Sequence, residues 1–159
     1  MSAIPTPPPL RLLPIRRMQP ENLREVVAIE KAVYPFPWTL GNFNDSLKSA
    51  YQAWILRDES ETLAGYFLLM PAFDEAHLLN ITVRGDLQGH GLGRLMLDHV
   101  VAIARRIRME SILLEVRPSN VRALKIYEQY GFIRIGLRKD YYPAPDNTRE
   151  DALVMRLVL

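Results

Sequence analysis

Glu115 stands in the stretch "ILLEVRP", among Ile112, Leu113, Leu114 and Val116. A carboxylate in such apolar company is costly to bury unless something pairs with it or uses it. One use is to take a proton from an amine, directly or through a water. Tyr127 follows in "ALKIYEQYGF", two helical turns after Asn120 and on the same helix face as Asn120 and Ala123. A phenol there could return a proton to a leaving group. Each residue also has a plainer reading. Glu115 fits an ion pair with Arg117, Arg122 or a neighbouring strand, Tyr127 fits a core position, and Asn120, after Pro118 and Ser119, fits a helix N-cap.

The second chemical feature is "LQGHGLGRL", with Gln88, Gly91 and Gly93 spaced as Gln-x-x-Gly-x-Gly. Backbone amides opening a helix, with no Cβ in the way, suit a phosphate or pyrophosphate. Met96 stands where the dinucleotide fingerprint needs a glycine, and the Gly-Lys-Ser/Thr of a P-loop is absent. The glycines alone would also serve a tight strand-to-helix turn. His77, His90 and His99 lack metal-ligand spacing and no cysteine joins them, so no metal site is expected. They read as surface or core histidines, with His90 alone near the loop.

These residues need elements to hold them. "QAWILR", the polar turn "DESET" and "LAGYFLLM" read as a β-hairpin, and "AHLLNITV" as a further strand ending at Val83. The glycine loop follows, then a helix with Leu92, Leu95, Met96, Val100, Ile103 and Ile107 on one stripe. Residues 111–117 read as a strand, 120–130 as a helix capped by Gly131, and "FIRIGLR" and "DALVMRLVL" as closing strands. Upstream, Leu23, Val26, Val27 and Val33 recur at helical spacing until "YPFPW" interrupts them, and Leu40, Phe43 and Leu47 suggest a second helix. "LRLLPIRRM" reads as a short edge strand, because Pro14 removes a ladder donor. Alternating strands and helices make this an α/β domain, and the early hairpin makes its sheet mixed.

Composition narrows the class. The 159 residues, 48% hydrophobic and 24% charged, suffice for one core and not for two ordinary domains. Pro5, Pro7, Pro8 and Pro9 make residues 1–9 a disordered, proline-rich tail, with the folded domain over 10–159. A net charge of +2 admits anionic ligands without the dense basic block of a nucleic-acid binder. Zero cysteines exclude disulfides and any cysteine-bound acyl intermediate. No apolar run approaches a membrane span and no secretory signal opens the chain, so a soluble cytoplasmic protein is expected.

"QGHGLGRL" after "LLNITV", followed by "LLEVRPSNVRALKIYEQYGF", resembles the GCN5-related N-acetyltransferases (GNAT), which take their acyl group from acetyl-CoA. More narrowly, "FPW" at 36–38, "DEAHLLNITV", "LEVRPSN", "YEQYGF", "RKDYYP" and "REDALVM" look like the bacterial ribosomal-protein alanine N-acetyltransferases. The resemblance implies a single-domain α/β GNAT-like fold, a mixed central sheet of about seven strands flanked by about four helices. It implies that the backbone of Ile81, Thr82 and Val83 pairs with the pantetheine arm. Gln88, Gly89, His90, Gly91, Leu92, Gly93 and Arg94 then hold the pyrophosphate, and Asn120 also touches the coenzyme. Glu115 falls at the family's general base and Tyr127 at its general acid, while Phe36, Pro37, Trp38, Tyr141 and Tyr142 fall on two loops flanking a peptide N-terminus. The family loop usually carries a basic or long polar residue where Gly89 and His90 stand, so weaker charge assistance is expected.

Three functions stay open at this point. The preferred one is acetylation of a protein N-terminus, the alanine of a small-subunit ribosomal protein, with acetyl-CoA as cosubstrate and no metal, nucleic acid or membrane partner. The same chemistry on lysine or a small amine is the second. A non-catalytic ribosome-associated module is the third, suggested by the basic "ARRIR" and opposed by the intact Glu115 and Tyr127.

Overall fold

The run from Leu63 to Leu69 shows no polar alternation because the layers on both sides of it are filled. In the computed structural model, which describes residues 10–159, Tyr66 and Leu68 pack into one cluster and Phe67 and Leu69 into another. The proline-rich segment expected over 1–9 lies outside the described residues. The strands are β1 (Arg16–Arg17), β2 (Gln52–Arg57), β3 (Leu63–Ala72), β4 (Glu75–Val83), β5 (Ser111–Val116), β6 (Ile133–Ala144) and β7 (Thr148–Val158). The helices are α1 (Leu23–Val33), α2 (Leu40–Lys48), α3 (Leu92–Arg106) and α4 (Val121–Tyr130). One seven-stranded sheet runs β1-β2-β3-β4-β5-β7-β6, parallel between β4 and β5 and antiparallel elsewhere.

One face of the sheet carries α3 and α4. There Met96, Leu97, Val100 and Ile103 of α3 meet Phe67, Leu78, Ile112 and Leu114, all buried. Fully burying an apolar side chain of this kind contributes about 1.5–3 kcal/mol. The other face carries α1 and α2, whose Leu23, Val26 and Phe43 close over Ile55, Tyr66 and Leu68. Helix α2 starts at Thr39, which accepts from the Asn42 amide at 3.1 Å while Asn42 Oδ1 accepts from the Thr39 amide at 2.9 Å. Helix α4 ends on Gly131 at φ 121°, a conformation L side chains avoid.

Three local expectations shift. The edge strand expected over 10–18 shrinks to Arg16–Arg17 and a lone bridge from Leu12 to Asp58, since Pro14 interrupts the ladder between them. On α3 Leu95 is 37% exposed, and Leu97 and Val101 turn inward instead, placing the stripe one step round the helix. The last strand inserts between β5 and β6, so Glu115 on β5 has Val154 of β7 as its direct neighbour.

Candidate active site

The parallel pairing of β4 and β5 runs from Glu75 opposite Ser111 to Leu78 opposite Leu114 and then stops. A β-bulge lies at that point: Leu68 of β3 faces Asn80 while Leu69 faces Leu78, leaving Leu79 as an extra residue. The bulge exchanges the faces of β4. Ala76 and Leu78 enter the α3 layer before it, whereas Ile81 and Val83 do so after it. The strands part beyond the bulge, and a cavity of about 460 Å³ opens beside Ile81 and Val83. Thr82, between them, is 2% exposed and turns its side chain to the opposite layer.

Loop 84–91 forms one wall of the cavity. Gly89 (φ 84°) and Gly91 (φ 83°) are left-handed, and Gly91 caps α3. A Cβ at Gly89 would stand 2.9 Å from a guanidinium nitrogen of Arg122, so glycine there also makes room for an arginine from α4. Arg122 donates to Gln88 Oε1 at 3.0 Å, and Gln88 Nε2 donates to the Val83 carbonyl at 3.1 Å. Among the described residues no carboxylate pairs with Arg122, which leaves its charge facing the cavity. Gln88, Gly89, Leu92 and Gly93 line the cavity; His90, Gly91 and Arg94 are exposed beside it. Arg122 thus brings a cation beside the loop from another element.

Glu115 points away from α3. Its neighbours Ile112, Leu114 and Val116 are buried in the α3 layer, and alternation sends Glu115 to the other face, where its side chain is 6% exposed. Oε2 is hydrogen-bonded to Nε2 of His77, from β4. Arg138 of β6 brings Nε to 3.4 Å from Oε1 as an ion pair, yet Oε1 is buried and has no hydrogen-bond partner. Arg117 and Arg122, the sequence candidates for its partner, are engaged elsewhere, and the neighbouring-strand alternative is the one realised. Glu115 does not line the cavity, whereas Tyr127 does, from α4. Tyr127 packs edge-on against Phe132 (centroids 5.7 Å apart), and burial pushes its phenol well above the usual range, so the proton stays on. Asn120 lines the cavity too and is at the same time the N-cap of α4, accepting from the Ala123 amide at 3.2 Å.

Arg117 joins the two aromatic loops. Its guanidinium lies 5.3 Å from the Phe36 ring centre and 4.4 Å from that of Tyr142, donates to the Pro143 carbonyl at 2.8 Å, and pairs with Glu150 at 3.2 Å. Tyr141 stacks edge-on against Tyr142 at 4.9 Å, and both phenols are pushed up by burial and then by the charge of Glu115. Phe36 lines the cavity, but Trp38 turns its ring into the α1–α2 cluster, 5.2 Å from Phe43, so its part is to anchor the loop. Pro37 stands between them outside the cavity lining.

The loop is tied down by Glu30, 1% exposed on α1. Its carboxylate accepts from the Trp38 amide (2.9 Å), the Tyr66 hydroxyl (2.7 Å) and Asn80 Nδ2 (3.1 Å). Asn80 accepts from Thr82 at 2.7 Å, and the Tyr34 hydroxyl reaches both Thr82 Oγ1 (2.9 Å) and the Ile81 carbonyl (3.2 Å). Burial pushes Tyr34 up to about 12. This network couples "YPFPW" to the open end of β4. Sequence reasoning passed over Glu30 and Tyr34, read His77 as a surface or core histidine, and offered Arg117 and Arg122 only as ion-pair partners of Glu115. The one available signal was a glutamate on the apolar face of α1, at helical spacing from Leu23, Val26 and Val27.

Comparison with known proteins follows the same lines. The model of the acetyltransferase (GNAT) family matches residues 23–132. The [ribosomal protein bS18]-alanine N-acetyltransferase of Escherichia coli (strain K12) is 34% identical over 143 residues, which cover 90% of this chain and 95% of that protein. The crystal structure of the ribosomal-protein-S18-alanine N-acetyltransferase from Escherichia coli superposes with a TM-score of 0.83 at 33% identity, covering 91% of this chain and 92% of that one. Ard1 from Thermoplasma volcanium shares the fold at 22% identity, with a TM-score of 0.81 over 92% of this chain and 97% of that one.

Proposed function

Because the chain belongs to the acetyltransferase (GNAT) family and is an N-acetyltransferase, we propose that it moves the acetyl group of acetyl-CoA onto the N-terminal alanine of ribosomal protein bS18. The observation that carries the reading is the Glu115 carboxylate, with Oε2 held by His77 and Oε1 buried without a donor. A buried carboxylate oxygen lacking a donor is costly. The ammonium group of a chain terminus is the kind of donor that satisfies it and then gives up a proton to it.

An α-amino group has a reference pKa near 7.7–8.0, so most of it is protonated at neutral pH and cannot attack a carbonyl. Glu115 takes that proton, and the free amine adds to the thioester carbon. Tyr127 gives its proton to the sulfur as the carbon–sulfur bond breaks, and its phenolate takes back the second proton that the nitrogen sheds in becoming an amide. A buried phenol is a weaker acid than a thiol, so a free thiolate would not draw its proton and the transfer accompanies the bond cleavage instead of following it. The coenzyme fits the cavity side: Ile81 and Val83 offer strand backbone at the splay, glycines leave the loop amides accessible, and Arg122 supplies a cation. Phe36, Tyr141 and Tyr142, gathered round Arg117, suit the backbone and small side chain of a peptide N-terminus. With a ribosomal protein as acceptor, the enzyme works in the cytoplasm.

Thiol release from acetyl-CoA tests the reading, using a peptide with a free N-terminal alanine beside the same peptide N-terminally blocked and carrying lysine. Release with the free alanine only is the expected result. Release with the blocked peptide would move the acceptor to a lysine side chain, and silence with both would remove the protein N-terminus as substrate. Glu115→Gln and Tyr127→Phe should each lose turnover, by about 10²- to 10⁴-fold for a general acid or base.

A further inference from the structure

We propose that His77 is a positioning residue for acetyl transfer: it holds the Glu115 carboxylate by Oε2 and leaves Oε1 turned to the acceptor amine. This rests on the reading of Glu115 as the base. His77 faces Leu113 across the parallel pair, one rung before the last, and Glu115 follows two residues on along the same face. The two side chains therefore meet where β4 and β5 begin to part, and Nε2 of His77 bonds Oε2 of Glu115.

A lone carboxylate turns readily about its terminal torsion, which has broad minima. One bond to one oxygen decides which oxygen remains for the substrate. The charged neighbours do not compete for that bond. Glu75, on the same face of β4, is occupied by Ser111 Oγ at 2.8 Å and Arg156 Nε at 2.8 Å. Arg138, from β6, approaches Oε1 without hydrogen-bonding it, and the nearby hydroxyls of Tyr141 and Tyr142 make no bond to Glu115 among the described residues. A histidine serves this purpose better than lysine or arginine. Its ring orients the carboxylate through one nitrogen, and it adds no second permanent cation to the Arg138 guanidinium already paired with Oε1.

Turnover of acetyl-CoA with the alanine peptide decides the matter in four variants: His77→Leu, His77→Gln, Glu115→Gln, and His77→Leu combined with Glu115→Gln. Acetyl-CoA affinity by calorimetry verifies that each is folded. His77→Leu should lower kcat roughly 10- to 100-fold, as a misplaced catalytic group does, without changing coenzyme affinity. His77→Gln keeps a donor of similar reach and should retain most of the rate. In the Glu115→Gln background the leucine change should do nothing more, because His77 acts through Glu115. Full turnover in His77→Leu, or an equal loss in both backgrounds, overturns the proposal and leaves the base reading standing. Full turnover in Glu115→Gln overturns both. If the leucine variant does not fold, the glutamine variant decides: turnover near the parent's supports the proposal, and a loss as deep as that of Glu115→Gln overturns it.

Discussion

Replacing Glu30 with glutamine keeps the shape of the side chain and removes one acceptor from a site where every donor needs one. The carboxylate receives three donors, from Tyr66, Asn80 and the Trp38 amide, at 2.7–3.1 Å, in a position 1% exposed. A glutamine amide has one acceptor oxygen and one donor nitrogen. If its oxygen keeps Tyr66 and Asn80, its nitrogen faces the Trp38 amide, donor against donor. An unsatisfied buried donor costs about 1–3 kcal/mol, and a hydrogen bond to a charged group contributes about 1.5–3 kcal/mol. Relief from burying an unpaired carboxylate offsets part of this, leaving a net loss of about 2–3 kcal/mol. In a domain of this length that corresponds to a Tm lower by about 4–12 °C. Since the Trp38 amide is the tether of the 34–38 loop, KM for the acceptor peptide should rise more than KM for acetyl-CoA. Differential scanning calorimetry and steady-state kinetics on the same preparation check both. An unchanged Tm together with an unchanged peptide KM would refute the idea that this carboxylate holds the acceptor loop.

Further outcomes follow from other parts of the site. Arg122→Ala should raise KM for acetyl-CoA about tenfold, the size of one charge-assisted hydrogen bond. It should leave acetyl-pantetheine, which has no pyrophosphate, unaffected, and an equal effect on both would place Arg122 outside the phosphate contact. At Gly65 a Cβ would meet the Thr82 carbonyl at 2.7 Å and Met96 Sδ at 2.8 Å. Since the carbonyl belongs to a paired strand and cannot step aside, Gly65→Ala should cost about 1–3 kcal/mol in urea unfolding. Alkaline pH should act through the tyrosines: burial raises Tyr34 to about 12 from 10.0 and pushes Tyr66, Tyr127 and Tyr142 up as well. Folded phenols that hold their protons longer than unfolded ones contribute stability that is complete below pH 10.0 and drains away as pH rises towards and past 12. Phenolate absorbance should therefore appear together with loss of circular dichroism, and a smooth titration centred near 10 in a still-folded protein would contradict the burial argument.

The amino-acid sequence by itself determined whatever depends on neighbours along the chain. The α3 and α4 helices, the "DESET" hairpin, the glycine loop and the Gly131 cap were legible because period, turn chemistry and left-handed backbone are local properties. The oddity of Glu115 was legible too, since a charge inside an apolar run stands out without any coordinates. Its partner was not. His77 lies 38 residues away and meets Glu115 because β4 and β5 run parallel, a pairing that local pattern does not specify. The same holds for the bulge at Leu79, which exchanges the faces of β4, and for the insertion of β7 beside β5. Arg122 reaches Gln88 from a helix 34 residues further on, and Arg117 ties Phe36 to Tyr142 across three separate elements. Side chains of this kind take their roles from which strands lie side by side, and that order is set by burying both faces of one sheet at once, an energy summed over the whole chain and carried by no single segment of it.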